Sequence, residues 1–325
     1  MGDVMLDVKE LSHCLESESP KIRKEKDSVI LLNERYNTPN TSLLLFHFEP
    51  QRYSSSDLRL KDCSIQRTSI EGKDIYIFDD FFTEGEASLL RQYSKDATFS
   101  RSSYACQESR EKGEEPARSM NNKEKWEFFA KPPQAIKEIY KLFGLFADRM
   151  NANISTLPWD LCDQSICASA VATNRLEKVD RASMEMGKHE DFNTEKGIPF
   201  GIPILYEKEK RFYPGNFVNG APGNPWLVSF MVYATAENFL VPEYGIGTIF
   251  CKKDGEPVAK ADCRHMRFVL FEGDILHSIE ESKIPQGVSS WRVSYVFKLI
   301  MNPKEAGRSM RTAFYDLLKS YKKEI

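Results

Sequence analysis

A chain of 325 residues, 41% of them hydrophobic, holds enough apolar material to bury a large core without a disulfide scaffold. The formal net charge of −3 gives no global attraction to nucleic acid, and no apolar run approaches the length of a membrane-spanning helix. The seven cysteines (Cys14, Cys63, Cys106, Cys162, Cys167, Cys251 and Cys263) are odd in number and lack close metal-type pairs. With no signal peptide or myristoylation pattern at the start, the expectation is a cytoplasmic protein with reduced thiols.

Residues 1–70 are polar and interrupted, with a mixed charge run at Lys21–Asp27, a serine cluster at Ser54–Ser56 and one candidate strand at Ser42–Phe48. They read as a partly mobile extension. From Asp74 the texture changes. Ile75-Tyr76-Ile77-Phe78 predicts a strand, and Thr83-Glu84-Gly85-Glu86 is a capping box that opens a helix through Leu89, Leu90 and Tyr93. After Pro132-Pro133, Ile136, Ile139, Tyr140, Phe143, Ala147 and Met150 recur at helical spacing and predict a face packed on a sheet. Short β-type runs follow at Ile166–Leu176, Leu227–Ala234, Gly247–Cys251, Arg267–Glu272 and Trp291–Ile300. Asn302-Pro303 has the form of an N-cap and first helical residue, ahead of a stripe of Met310, Ala313, Phe314, Leu317, Leu318 and Tyr321. Helices followed by many short strands predict an antiparallel barrel or sandwich flanked by helices.

Three segments carry chemistry. In Gly187-Lys188-His189-Glu190-Asp191 an imidazole and a carboxylate stand two residues apart, so in an extended chain both point to one face and can share a metal. In Phe271-Glu272-Gly273-Asp274-Ile275-Leu276-His277 an apolar strand reaches a Gly-Asp turn and a histidine follows. Either histidine alone reads more simply as a satisfied structural side chain. In Trp291-Arg292-Val293-Ser294-Tyr295-Val296-Phe297 the alternation puts Arg292 and Ser294 on one face and Trp291, Val293, Tyr295 and Phe297 on the other. A buried guanidinium needs an anion, which a structural Asp or Glu or a ligand carboxylate can supply.

The order of these segments, with His277 standing 88 positions after His189 and Arg292 15 after His277, resembles the Fe(II)- and 2-oxoglutarate-dependent dioxygenase superfamily over roughly residues 74–300. The resemblance implies a mainly β fold with flanking helices (α+β) around a double-stranded β-helix core, jelly-roll and cupin-like. The domain expected is residues 71–301, with a C-terminal helix at 302–325 docking on it. It further implies Fe(II) held by His189, Asp191 and His277, and 2-oxoglutarate as cosubstrate on Arg292 and Ser294 beside O2. Ile77-Phe78-Asp79-Asp80-Phe81-Phe82 before a capped helix is similar to the prolyl-hydroxylase-like branch, and Tyr233, otherwise a core aromatic, matches a tyrosine that some members use to hydrogen-bond the cosubstrate carboxylate.

Departures narrow the substrate. Arg292 stands where collagen-type prolyl 4-hydroxylases carry lysine, and Ser294 and Lys298 replace the asparagine and second arginine of nucleic-acid demethylases. Ile246 interrupts the family's paired glycines before Thr248, and Asp191 separates the chain from halogenases, which lack that carboxylate. The expected activity is hydroxylation, or oxidative demethylation, with a protein side chain preferred over a small metabolite and nucleic acid last. The alternatives are a non-catalytic cupin-like binding module and a metal-dependent hydrolase or isomerase on a similar barrel. Asn174 and Arg175 could face the substrate. The Gly-, Pro- and aromatic-rich stretches at 197–203 and 212–216 could cover the site.

Overall fold

The computed structural model describes residues 29–31, 43–48, 58–96, 100–101, 117–119, 133–160, 170–175, 188–191, 218–234, 242–280, 283, 291–305, 307–323 and 325. Among these, the chain begins with β1 (Val29–Leu31), β2 (Leu43–Phe48), α1 (Leu58–Asp62), β3 (Ser64–Ile70), β4 (Lys73–Asp79) and α2 (Glu84–Asp96). It continues through β5 (Ser100–Arg101), β6 (Ala117–Ser119), α3 (Gln134–Arg149), β7 (Ala152–Asp160), β8 (Ala170–Arg175) and β9 (Trp226–Tyr233). The last elements are β10 (Thr248–Cys251), β11 (Pro257–Ala261), β12 (Phe268–Glu272), β13 (Leu276–Ile279), β14 (Trp291–Pro303) and α4 (Met310–Tyr321).

The strands form two antiparallel sheets. The larger runs β1-β2-β7-β14-β9-β12-β4-β3, with β8, β6 and β5 continuing beside the first half of β14; the smaller is β11-β10-β13. The fold is therefore mainly β with flanking helices. No helix among the described residues is long and apolar enough to cross a membrane.

The period of two along the central strands decides the layering. Val228, Phe230 and Val232 of β9, Phe268 and Leu270 of β12, and Val293, Tyr295, Phe297 and Leu299 of β14 share one core with α2, α3 and α4. The alternate residues Met231, Tyr233, Val269, Phe271 and Val296 pack with Ile246, Phe250, Ala261 and Ile275, against the smaller sheet. Because β9 is buried on both faces, its sequence is a nearly unbroken apolar run, and the one polar residue within it, Ser229, has a specific partner.

Local chemistry accounts for several boundaries. The capping box at α2 is formed reciprocally: Glu86 N–H donates to Thr83 Oγ1 (3.3 Å), and Thr83 N–H donates to the Glu86 carboxylate (3.0 Å). Glu71 and Gly72, both at positive φ (50° and 79°), make the two-residue turn between β3 and β4. Gly247 allows a close approach, since a Cβ there would lie 2.6 Å from the Ala261 carbonyl oxygen of β11.

Two expectations differ from what is found. The Asn302-Pro303 pair does not start the last helix. It ends β14, opposite Asn153 and Ala152 of β7, and α4 begins at Met310 with Ser309 as N-cap, its hydroxyl accepting from Thr312 N–H at 3.3 Å. Continued pairing with β7, with Met301 fully buried, outweighs a local cap signal. Nor does the ordered sheet begin at residue 71. The β3–β4 hairpin brings 64–70 into it, and the candidate strand at Ser42–Phe48 is present as β2 and pairs with β7, so part of the polar N-terminal region belongs to the sheet.

Candidate metal centre

His189 and His277 exchange backbone hydrogen bonds of 2.9 Å in both directions, an antiparallel bridge that lays their side chains on one face. Their ring centroids are 4.3 Å apart. Asp191, two residues beyond His189, returns to the same face, and the ligand atoms of His189, Asp191 and His277 all lie within 4.8 Å of one another. Nε2 of His189 is 3.9 Å from Asp191 Oδ1, and Nε2 of His277 is 3.9 Å from Asp191 Oδ2. His277 arrives there because the chain leaves the larger sheet at the end of β12, turns at Gly273-Asp274 and enters the smaller sheet as β13 beside β10. Buried polar groups hold the turn. Glu272 accepts from Asp74 N–H (2.9 Å) and bidentately from Arg311 of α4 (2.5 and 2.6 Å), and the Asp274 carboxylate accepts from Asn219 (2.9 Å).

The donor set suits a divalent ion. His277 Nδ1 lies 2.9 Å from the Ile275 carbonyl oxygen, which assigns the proton to Nδ1 and leaves the Nε2 lone pair directed at the cluster. Burial, then the neighbouring His189, pushes the His277 imidazole down to about 4, so it is neutral at physiological pH, as a ligand must be. Burial alone would raise the Asp191 carboxyl, but the charge and hydrogen bond of Lys298 together with the two neighbouring imidazoles outweigh it and hold Asp191 below the ordinary carboxylate range. One ion with bonds of about 2.1 Å would draw neighbouring donors to about 3 Å, a closure of roughly 1 Å from the present spacing. Asp191 and His277 are buried and His189 is half-buried, so the cluster is more open on the His189 side.

Two residues not singled out from sequence as Asp191 partners complete the centre. Lys298 of β14 donates to Asp191 Oδ1 and Ser229 of β9 donates to Oδ2. They are directly opposed in the β9–β14 register, so neighbouring strands of the larger sheet grip one carboxylate together. A signal for Lys298 exists in the sequence: it shares the β14 face of Arg292 and Ser294 by period two.

The same face continues toward the proposed cosubstrate residues. Ser294 is buried and opposes Tyr233 in register, four residues and roughly 13 Å along β9 from Ser229. The Tyr233 hydroxyl is 2.7 Å from the Thr248 hydroxyl and 3.4 Å from the Ala261 carbonyl oxygen, so Thr248 joins this end of the space between the sheets. The backbone of Arg292 belongs to β14 opposite Asn174 of β8. The side chains of Arg292, Asn174 and Arg175, and the candidate covering stretches at 197–203 and 212–216, lie outside the described residues.

No family model matches the chain, and no curated protein matches it significantly.

Proposed function

We propose that the protein is an Fe(II)- and 2-oxoglutarate-dependent dioxygenase of the hydroxylase type on a double-stranded β-helix. The observation that carries the reading is the convergence of His189, Asp191 and His277, two imidazoles and one carboxylate, between two antiparallel sheets. Two histidines and a carboxylate on one side of an ion leave open positions, the arrangement used by non-haem iron oxygenases. Iron bound here would supply the oxidative decarboxylation of 2-oxoglutarate coupled to hydroxylation, or demethylation, of a second substrate.

The residues of this chain supply ligation, orientation and exclusion of water. Asp191 brings the negative charge and His277 a fixed tautomer, while Phe250 and Phe271, packed against the His277 ring, keep its buried side dry. Arg292 and Ser294 would take the distal carboxylate of the cosubstrate, with Tyr233 as a further hydrogen-bond donor. The order of residues along β14 supports this placement: Lys298 meets Asp191, while Ser294 and Arg292 lie further along the same face. A protein side chain is the first substrate class to assay and a small metabolite the second.

Succinate formation from 2-oxoglutarate, dependent on Fe(II) and O2, tests the reading. His189→Ala and Asp191→Ala are expected to abolish it, at least 100-fold; unchanged turnover in either variant would remove the assignment. One observation favours a second reading, a cupin-like module without catalysis: Lys298 already neutralises Asp191. Anaerobic addition of Fe(II) and 2-oxoglutarate separates the two, since the oxygenase develops a weak visible charge-transfer band and the module does not.

A further inference from the structure

The Asp191 carboxylate sits between two unlike sets of neighbours. On one side the imidazoles of His189 and His277 stand 3.9 Å from Oδ1 and Oδ2 respectively; on the other, Lys298 reaches Oδ1 and Ser229 reaches Oδ2. Each oxygen thus has one donor from the larger sheet and one imidazole. Lys298 and Ser229 are a directly opposed cross-strand pair, so this grip is built into the β9–β14 ladder and does not depend on a loop. The two charged groups in contact, Lys298 and Asp191, are both buried, each at 4% exposure.

Burying a lone carboxylate is strongly unfavourable, whereas a carboxylate paired with an ammonium and a hydroxyl is satisfied. The same ammonium opposes an incoming divalent cation, because like charges in a poorly screened interior repel strongly. We propose that Lys298 is a resident counter-cation for Asp191: a positioning residue that keeps the metal-free centre assembled and weakens divalent-metal binding, so that the metal remains exchangeable. Ser229 fixes the second oxygen and turns the carboxylate toward the imidazoles. This inference rests on the proposed metal centre, yet it concerns ion affinity and not turnover.

The test is a titration of the full-length, chelator-treated protein with Mn(II), followed by the electron paramagnetic resonance signal of the free ion, alongside thermal melting with and without Mn(II). Lys298→Met is expected to bind Mn(II) at least tenfold more tightly than the wild type, to melt at a lower temperature without metal, and to gain more in melting temperature from metal. Lys298→Arg, which keeps the charge, should stay within about threefold of the wild-type affinity. Equal or weaker Mn(II) binding by Lys298→Met overturns the proposal. Should that variant not fold without metal, the double variant Lys298→Met with Asp191→Asn, a neutral pair, is expected to fold metal-free; its failure to fold would make the lysine a packing residue and likewise overturn the proposal. Absence of Fe(II)-, O2- and 2-oxoglutarate-dependent succinate formation by the wild-type protein, with these affinity differences present, would instead remove only the dioxygenase reading.

Discussion

Asp191 and His277 hold opposite protonation states in the same buried space. The carboxylate stays charged because Lys298 and the two imidazoles together offset its burial, while the His277 imidazole stays neutral because burial and His189 both disfavour its proton. This second effect makes stability depend on pH. His277 in the folded protein takes up a proton only near 4, whereas in the unfolded chain it does so near 6.5. Between those values the unfolded chain binds the extra proton, so stability rises with pH across that window and levels off above it. Metal-free protein should therefore lose up to about 3 kcal/mol between pH 7 and pH 4 from this group. Urea denaturation at several pH values measures it. His277→Gln should flatten that part of the profile, and an unchanged slope would show that His277 is not buried as described.

Among the elements, β10 and β13 carry the site on a sheet of only three strands, so small changes in their spacing reach His277 directly. Gly247 sits where β10 approaches β11 too closely for any side chain, with the Ala261 carbonyl oxygen 2.6 Å from where a Cβ would stand. Backbone cannot yield as a flexible side chain would. Gly247→Ala is expected to cost about 1–3 kcal/mol by chemical denaturation and to weaken Mn(II) binding through the displaced β10–β13 pair. A variant with wild-type stability and affinity would show that the two strands separate freely. The helices act on the opposite face: Phe314 of α4 meets Tyr76, Phe146 and Trp226 edge-on or tilted at 4.7–5.3 Å, joining the last helix to β4, α3 and β9.

At the scale of the whole molecule, polar contacts of Arg311 connect the last helix to the turn that delivers His277. Arg311 of α4 grips Glu272, which is fully buried at the end of β12, immediately before the turn that delivers His277. Burial pushes the Glu272 carboxyl up to about 7, even with Arg311 drawing it down. An acid whose folded pKa is raised contributes stability that is present at low pH and lost as pH rises through that value. Arg311→Leu should therefore destabilise the protein by about 3 kcal/mol at pH 8 and by less at pH 6, where Glu272 is more easily protonated. Denaturation at the two pH values checks this. An equal cost at both would mean that Arg311 acts through packing alone.

Much of the fold was legible locally. Period two assigned the faces of β14, with Val293, Tyr295 and Phe297 toward the helices and Ser294 away from them. Helical spacing identified the buried stripes of α3 and α4, and Thr83 with Glu86 announced the start of α2. His-x-Asp spacing placed His189 and Asp191 on one face. These features depend only on neighbours along the chain, and backbone geometry transmits them directly. The strand at Leu43–Phe48 was legible, but its pairing with β7, the start of α4 at Met310 and the recruitment of β3 into the sheet were not, since contacts with β7 and β4 decided them. The same limit applies to the centre. Sequence marked His189, Asp191 and His277 as candidates, but Ser229 and Lys298 meet Asp191 only through the register of β9 against β14. A strand's own residues set which way each side chain faces; only the assembled sheets decide what it meets there.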